Sequence, residues 1–389
     1  MTNGGHGHDS TVGSGGIGLA IVGCGVVGRV RAQLAREYAG IDWLGLCDVR
    51  EPAAKQLAAD VDADFVTTDS ADLLAQPQVT AVIVATDENA HVEPVLQAVS
   101  HGFPLFVEKP LATDPVASAR VLTAVEQRGV DAVVGYTQRF RRRFLAVKQR
   151  LRDGQIGEVT SVVTRALMNR MVPQATLAKV GDPVDRTSLT PMVVSGTHSL
   201  DMCLWLMEPK SPVEVYARSN DTVLGALGTK DATFGIFTMD DGAIFSMNIS
   251  WALPEVWPGA VYGLEIGIVG TRGVIDIEDT HRDVIVASDV PQPAGYRSRG
   301  FESPADRYVD FVGSYPPGDM SGDLLWGPMR EETATWFGRV ALGLETPHAT
   351  AAEGHRNLLL TMAMDLSART GRPVELPLDP VALARGLAS

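Results

Sequence analysis

The chain has 389 residues, of which 45% are hydrophobic, and its 47 acidic against 33 basic side chains leave a formal charge of −14. That length divides into two or three domains with substantial cores, and 39 glycines with 23 prolines fall short of a low-complexity or fibrous composition. The acidic balance excludes a general attraction to nucleic-acid backbones or anionic lipid, since the one dense basic run, Arg139 to Arg143, is too short to reverse it.

Residues 1–16 are mostly Gly, Ser, His and Thr, with no basic segment leading into an apolar one, and are expected to be a flexible tail rather than a signal peptide. From residue 17 to 137, short apolar runs alternate with amphipathic stretches. Ile17 to Val22, Trp43 to Cys47, Ala81 to Ala85, Leu105 to Val107 and Ala132 to Val134 read as strands of a parallel sheet covered on both faces. Val26 to Tyr38, Pro52 to Ala59, Asn89 to Ser100 and Pro115 to Gln127 read as the helices between them, the grammar of a doubly wound α/β domain.

The first strand runs into Gly23-Cys24-Gly25-Val26-Val27-Gly28 and then a helix. This is G-x-G-x-x-G in the setting that gives it meaning. Gly23 permits the tight turn, Gly25 lets backbone approach a pyrophosphate, and Gly28 lets helix and strand pack closely. The helix N-terminus, at Val26 and Val27, offers free N–H groups to the phosphates. Asp48, twenty residues after Gly28 and followed by Val49 and Arg50, is placed to accept ribose hydroxyls and to favour NAD. A guanidinium at Arg50 keeps NADP as the alternative. Ligands of open α/β sheets lie beyond the carboxyl ends of strands, which brings in Thr86 and His91, the Glu108-Lys109-Pro110 turn, and Tyr136 to Arg139.

After about residue 150 the period changes to two. Phe245, Met247, Ile249 and Trp251 alternate with more polar neighbours, Asp240-Asp241-Gly242 supplies a hairpin turn, and Leu264, Ile266 and Ile268 repeat the alternation. With Val213 to Ala217, Val274 to Ile277 and Val284 to Ala287, this predicts five or six mainly antiparallel strands. Ser199 to Met207, Met329 to Leu342 and Ala352 to Thr370 read as accompanying helices. The expected architecture is α/β: an N-terminal Rossmann doubly wound parallel sheet over 17–137, then a C-terminal α+β domain over 138–378 with a large open, mostly antiparallel sheet, and a tail over 379–389. The irregular stretches Met168 to Pro191 and Pro291 to Ser321 are expected to be lids or subunit contacts. Three separated cysteines, Cys24, Cys47 and Cys203, form neither a disulfide framework nor a metal cluster and suggest a cytoplasmic protein, and no apolar run is long enough to span a membrane.

The glycine loop, the Glu108-Lys109-Pro110 triplet and Gly196-Thr197-His198-Ser199-Leu200-Asp201 together resemble the glucose–fructose oxidoreductase, inositol dehydrogenase and MocA (Gfo/Idh/MocA) family from Ile17 to about Leu378. The resemblance implies NAD(P)-dependent chemistry on a secondary hydroxyl or ketone of a sugar, cyclitol or related metabolite. It places Lys109 beside substrate and nicotinamide ribose, His198 as acid/base and Asp201 on substrate hydroxyls; apart from the resemblance, Tyr136 is expected either to donate to substrate or to pack at the domain junction, and Arg139 either to reach substrate or to start a solvated helix. The resemblance also implies homodimers or homotetramers built through the open sheet. Elementary chemistry agrees: oxidising an alcohol requires removal of a hydroxyl proton, which suits a neutral imidazole, and stabilisation of alkoxide character, which suits an ammonium.

Two positions depart from the family. The Asp often found four residues before the histidine is Val194, and the Pro-Asn often found after the strand ending at Ala85 is Asp87-Glu88. Trp251, Trp257 and Tyr262 either stack on a sugar or pack the sheet, packing being the default. Two other functions fit the same scaffold: redox-neutral cleavage or elimination with NAD retained, and nucleotide sensing without catalysis. Retention of Lys109 and His198 argues against the sensor.

Overall fold

The computed structural model describes residues 16–171, 173, 189–257, 261–279, 284–292, 307–312, 317–321 and 324–388. The apolar runs of the first third become β1 (Ile17–Val22), β2 (Ile41–Cys47), β3 (Phe65–Thr67), β4 (Ala81–Val84), β5 (Leu105–Glu108) and β6 (Ala132–Gly135), all parallel in the order β6-β5-β4-β1-β2-β3. Helices α1 (Val26–Arg36), α2 (Glu51–Val61), α3 (Ser70–Leu74), α4 (Val92–His101) and α5 (Pro115–Arg128) connect them. The strands are apolar at successive positions because both faces are covered. Leu19, Ile21 and Ile83 pack with Ala32 and Leu57 of α1 and α2, whereas Ala20, Val82 and Val84 pack with Val95, Val99 and Val121 of α4 and α5.

The second part opens with α6 (Arg142–Arg152) and β7 (Val159–Asn169). A widened π turn, Met192–Gly196, then leads into α7 (Thr197–Met207). Strands β8 (Pro212–Asn220), β9 (Ala232–Met239), β10 (Ile244–Leu253), β11 (Val261–Gly270) and β12 (Gly273–Asp279) follow. Two small ribbons come next, β13 (Val284–Gln292) with β14 (Arg307–Val312), and β15 (Asp319–Ser321) with β16 (Leu324–Trp326). The chain ends in α8 (Pro328–Leu342), β17 (Ala349–Thr350), α9 (Ala351–Thr370), β18 (Val374–Glu375) and α10 (Pro380–Ala388).

The second sheet has seven strands in the order β12-β11-β7-β10-β9-β8-β18, more than the five or six expected. Its neighbours are antiparallel except β7 and β10, which run parallel at the centre. The missed central strand, β7, mixes Thr, Ser and Arg with its valines, so its alternation is blurred. The expected hairpin is present, with Gly242 at φ +86°. Val284 to Ala287 lies in the β13–β14 ribbon instead, paired with a strand beyond the hairpin turns of the main sheet.

Two boundaries also shift. β17 pairs antiparallel with β6, and Trp336 and Phe337 of α8 lie in the core of the first sheet, so the C-terminal part of the chain returns to complete the nucleotide domain. Residues 380–388 are not a tail: α10 buries Leu383 against Leu358 and Met362 of α9. Apart from Gly16, the N-terminal tail lies outside the described residues, as does most of the two irregular stretches.

Candidate active site

The glycine loop joins β1 to α1 under three separate constraints. Gly23 has φ +105°, and a Cβ there would lie 2.3 Å from the Ala85 carbonyl oxygen at the end of β4. A Cβ at Gly28 would lie 1.8 Å from the Gly23 carbonyl oxygen, so helix and strand touch there. At Gly25 a Cβ would meet nothing within 4 Å, and Gly25 caps α1 with no side-chain hydrogen bond to its first N–H groups. Open space before an uncapped helix N-terminus is what a pyrophosphate needs.

Asp48, at the end of β2, is buried and braces this loop. Its Oδ2 accepts the Cys24 N–H at 2.8 Å, and its Oδ1 accepts the Arg50 N–H at 2.9 Å and Arg50 Nε at 3.3 Å. A carboxylate offers about four acceptor sites, so room for a ribose hydroxyl remains. Val49 is 87% exposed and the Arg50 side chain 67%, both at the rim of the loop. Val26 is also exposed, Val27 packs toward α2 and α8, and Thr86 donates its hydroxyl to the Asp87 carbonyl at 3.2 Å. The nucleotide loop thus fits NAD.

Lys109 and His198 come together across the two domains. Lys109 follows β5 and donates from Nζ to the Val194 carbonyl at 2.9 Å. That carbonyl belongs to the π turn, where i→i−4 pairing is broken and carbonyls become available to other donors. Four residues on, His198 opens α7. Its ring stands edge-on to Tyr136, with centroids 6.0 Å apart at 83°, and Nδ1 is buried without a partner. Burial pushes its pKa down to about 3, and the charges of Lys109 and Arg141 push the same way. His198 is therefore a neutral imidazole oriented by packing, while position 194 contributes a backbone oxygen to Lys109 rather than a carboxylate to the histidine.

The expected substrate contacts stand elsewhere. Asp201 has no exposed surface. Arg139 donates from Nε to its Oδ2 and from Nη2 to its Oδ1, both at 2.7 Å, and Asn357 of α9 donates to Oδ1 at 2.8 Å. Arg139, 2% exposed, also reaches Glu353 at 2.8 Å, and these carboxylates hold it firmly protonated. The pair forms a buried clamp between the turn after β6, α7 and α9. Tyr136 is likewise buried, and its hydroxyl shares a hydrogen bond with Thr197 Oγ1 at 2.9 Å. It supports His198 from behind.

Three further expectations resolve similarly. Glu108 turns its carboxylate to Arg31, whose Nε donates at 2.9 Å, instead of toward the nucleotide loop. His91 is buried, and its Nδ1 donates to the Pro110 carbonyl at 2.8 Å, bracing the turn that carries Lys109. Trp251 is a core residue bonded through Nε1 to Ser195 Oγ at 2.9 Å, and Trp257 and Tyr262 pack edge-on with centroids 4.8 Å apart. Sequence reasoning missed Gln138, buried after β6 with Oε1 unpartnered, and the Arg31–Glu332 contact. Only Arg31 left a signal: three residues after Gly28, it lies on the inward stripe of α1. Among the described residues, no helix is long and apolar enough to cross a membrane.

A Rossmann sheet whose glycine loop opens an uncapped helix is the mark of a nicotinamide-dependent oxidoreductase. Residues 17–136 match the model of an oxidoreductase family with an NAD-binding Rossmann fold, and residues 144–276 match the GFO/IDH/MocA C-terminal domain. The chain belongs to the GFO/IDH/MocA family. It is 31% identical over 323 residues to an inositol 2-dehydrogenase of Acidothermus cellulolyticus, covering 82% of this chain and 90% of that one. It is 32% identical over 329 residues to a 2,7-anhydro-N-acetylneuraminate hydratase of Mediterraneibacter gnavus, covering 82% of each. The structure of scyllo-inositol dehydrogenase from Lactobacillus casei with bound NAD(H) and scyllo-inositol shares the fold, with a TM-score of 0.71 and 17% identity over 92% of this chain and 99% of that one.

Proposed function

We propose that this enzyme is an NAD-dependent dehydrogenase acting on a secondary hydroxyl, or the matching ketone, of a sugar, cyclitol or similar polyol. The observation that carries this reading is Lys109, after the carboxyl end of β5, bonded through Nζ to the Val194 carbonyl four residues before a neutral His198 whose pKa its charge helps to lower. His198, held neutral by its buried surroundings, takes the hydroxyl proton as general base. Lys109 spends one of its three donors on Val194, which leaves the others for the same substrate oxygen as it gains negative charge. The bound nicotinamide supplies or accepts the hydride. The Tyr136 ring and the buried Arg139–Asp201 clamp hold α7, and therefore His198, in place.

The name of the Acidothermus cellulolyticus relative supports a cyclitol substrate, and that of the Mediterraneibacter gnavus relative supports a redox-neutral reaction on a sugar acid. A panel of cyclitols, sugars, sugar acids and their keto forms, followed by NADH absorbance and by product analysis, separates the two. NADH appearing with one substrate class is the expected result. Lys109→Ala is expected to lower kcat by about 10²–10³-fold, and His198→Ala by about 10²–10⁴-fold. Turnover without net NADH selects the redox-neutral reaction, and NAD binding with no turnover across the panel removes both.

A further inference from the structure

Behind the nucleotide loop lies a charged cluster with almost no access to solvent. Arg31, on the inward face of α1, has a guanidinium with no exposed surface. Its Nε donates to Glu108 Oε1 at 2.9 Å, its Nη2 reaches Glu332 Oε2 of α8 at 2.6 Å, and its Nη1 donates to Thr333 Oγ1. Thr137, just after β6, donates its hydroxyl to the same Glu332 oxygen at 2.9 Å. Phe106 lies under the guanidinium at 4.4 Å, and Gly135 is kept free of a side chain because a Cβ would come within 2.9 Å of Glu108 Oε2.

Arg31 therefore ties the cofactor helix to the end of β5 and to α8, and Glu332 carries the tie on to the residues after β6. Glu108 immediately precedes Lys109, and Thr137 immediately follows Tyr136, whose ring supports His198. As simple stabilisation the arrangement is poor, because two buried carboxylates share one cation and apolar packing would cost less. Glu332 Oε1 has no hydrogen-bond partner, and burial with Glu108 nearby pushes the Glu332 carboxyl up to about 7 against the pull of Arg31. The groups facing Glu332 are Arg31 from α1, Glu108 from β5, Thr137 after β6 and, at its backbone carbonyl, His348 Nε2 at 3.1 Å.

We propose that Arg31 and Glu332 are positioning residues that, through Glu108 and Thr137, set where the Lys109 ammonium and the Tyr136–His198 pair stand relative to the cofactor helix. This rests on Lys109 acting on the substrate oxygen, but its test requires no turnover. The full-length protein, saturated with NAD, is treated with acetic anhydride from neutral to alkaline pH, and acetylation of Lys109 is followed by peptide mass spectrometry. Lys55, 66% exposed and remote on α2, serves as the internal reference. Glu332→Gln keeps the shape and an acceptor oxygen but loosens the charge-assisted grip on Arg31, so Glu108 and with it Lys109 shift and the Lys109/Lys55 rate ratio is expected to rise by about threefold. Arg31→Lys keeps the charge, loses the fork and is expected to raise the ratio as well.

A merely structural cluster would lower the melting temperature and leave the ratio unchanged, and unchanged ratios in both folded variants overturn the proposal. If Arg31→Lys does not fold, Glu332→Gln decides alone. A silent substrate panel would remove the proposed reaction without touching this result.

Discussion

Two glycines of one loop answer to different forces. At Gly28 any side chain collides with the Gly23 carbonyl, so Gly28→Ala is expected to push α1 off β1 and lower the melting temperature. At Gly25 a side chain meets no protein atom within 4 Å and fills only the space before the helix N-terminus. Gly25→Val should therefore melt like the wild type yet raise the Kd for NAD by about tenfold or more, about 1.4 kcal/mol, in a calorimetric titration. Unchanged affinity would place the pyrophosphate elsewhere. At the same scale, His198 has a native pKa of about 3 against an ordinary value near 6.5. The imidazole stays unprotonated throughout the neutral range, so kcat/KM is expected to show no acidic limb near pH 6.5; a limb there that vanishes in His198→Gln would mean a wetter, protonatable imidazole. The glycines, Asp48 and Lys109 could be singled out because each obeys a local rule of turn or strand end, whereas His198 stood out only through the family motif around it. The partners of Asp201, Arg139 and Arg31 could not be singled out, because Asn357, Glu353 and Glu332 reach them from helices more than 150 residues away in sequence.

Between elements, the Arg139–Asp201 clamp and the His348 contacts hold α7, α8 and β17 to the nucleotide domain. Asp201→Asn leaves Arg139 with half its charge compensation in a buried site, and losses of about 3–5 kcal/mol follow from breaking such pairs. Its expected signature is a large drop in melting temperature; a substrate ligand would instead raise KM with the melting temperature unchanged. His348 is 5% exposed, with Nε2 at 3.1 Å from the Glu332 carbonyl and Nδ1 at 2.8 Å from Thr346 Oγ1, and burial pushes its pKa down to about 3. Below its ordinary pKa the unfolded chain binds a proton that the native state refuses, so this residue's contribution is intact above about pH 6.5 and declines as pH falls toward 3. The stability gap between wild type and His348→Gln should therefore narrow by about 1.4 kcal/mol per pH unit in that window. Denaturant titrations at several pH values measure it, and a constant gap would mean that His348 is protonated in the folded state. Strands β1, β4, β5 and β6 were readable because burial on both faces makes every position apolar. The ribbon β13–β14 and the return of α8 and β17 were not, because local periodicity carries no information about which sheet a segment joins.

At the scale of the whole molecule, the described residues cover the second sheet on one face only. Val215, Phe237, Phe245, Val162 and Ile266 point to the helices and are buried. On the other face, one row across the strands reads Tyr216, Ile236, Ser246, Val163 and Gly267, and a second reads Glu214, Thr238, Ile244, Ser161, Val269 and Val274. Within them Val163 is 60% exposed, Ile236 49%, Ile244 46%, Val269 46% and Val274 68%, and Phe234, one row further, is 53% exposed. An exposed, largely apolar surface of this kind, interrupted by small Ser and Thr side chains and flanked by Glu214, Arg218, Arg165 and Glu265, has the layout of an interface with an apolar centre and a polar rim. The same face on a second copy supplies the matching surface, because an isologous contact pairs one patch with itself. The protein is accordingly expected to sediment as a dimer or a larger even assembly. Ile236→Glu with Phe234→Glu puts two charges at the centre of that contact and should release monomers in analytical ultracentrifugation. The nucleotide loop lies on the other domain, so NAD affinity should survive the dissociation. A wild-type monomer at the same concentrations, or a double variant that remains assembled, would mean that this face serves another purpose.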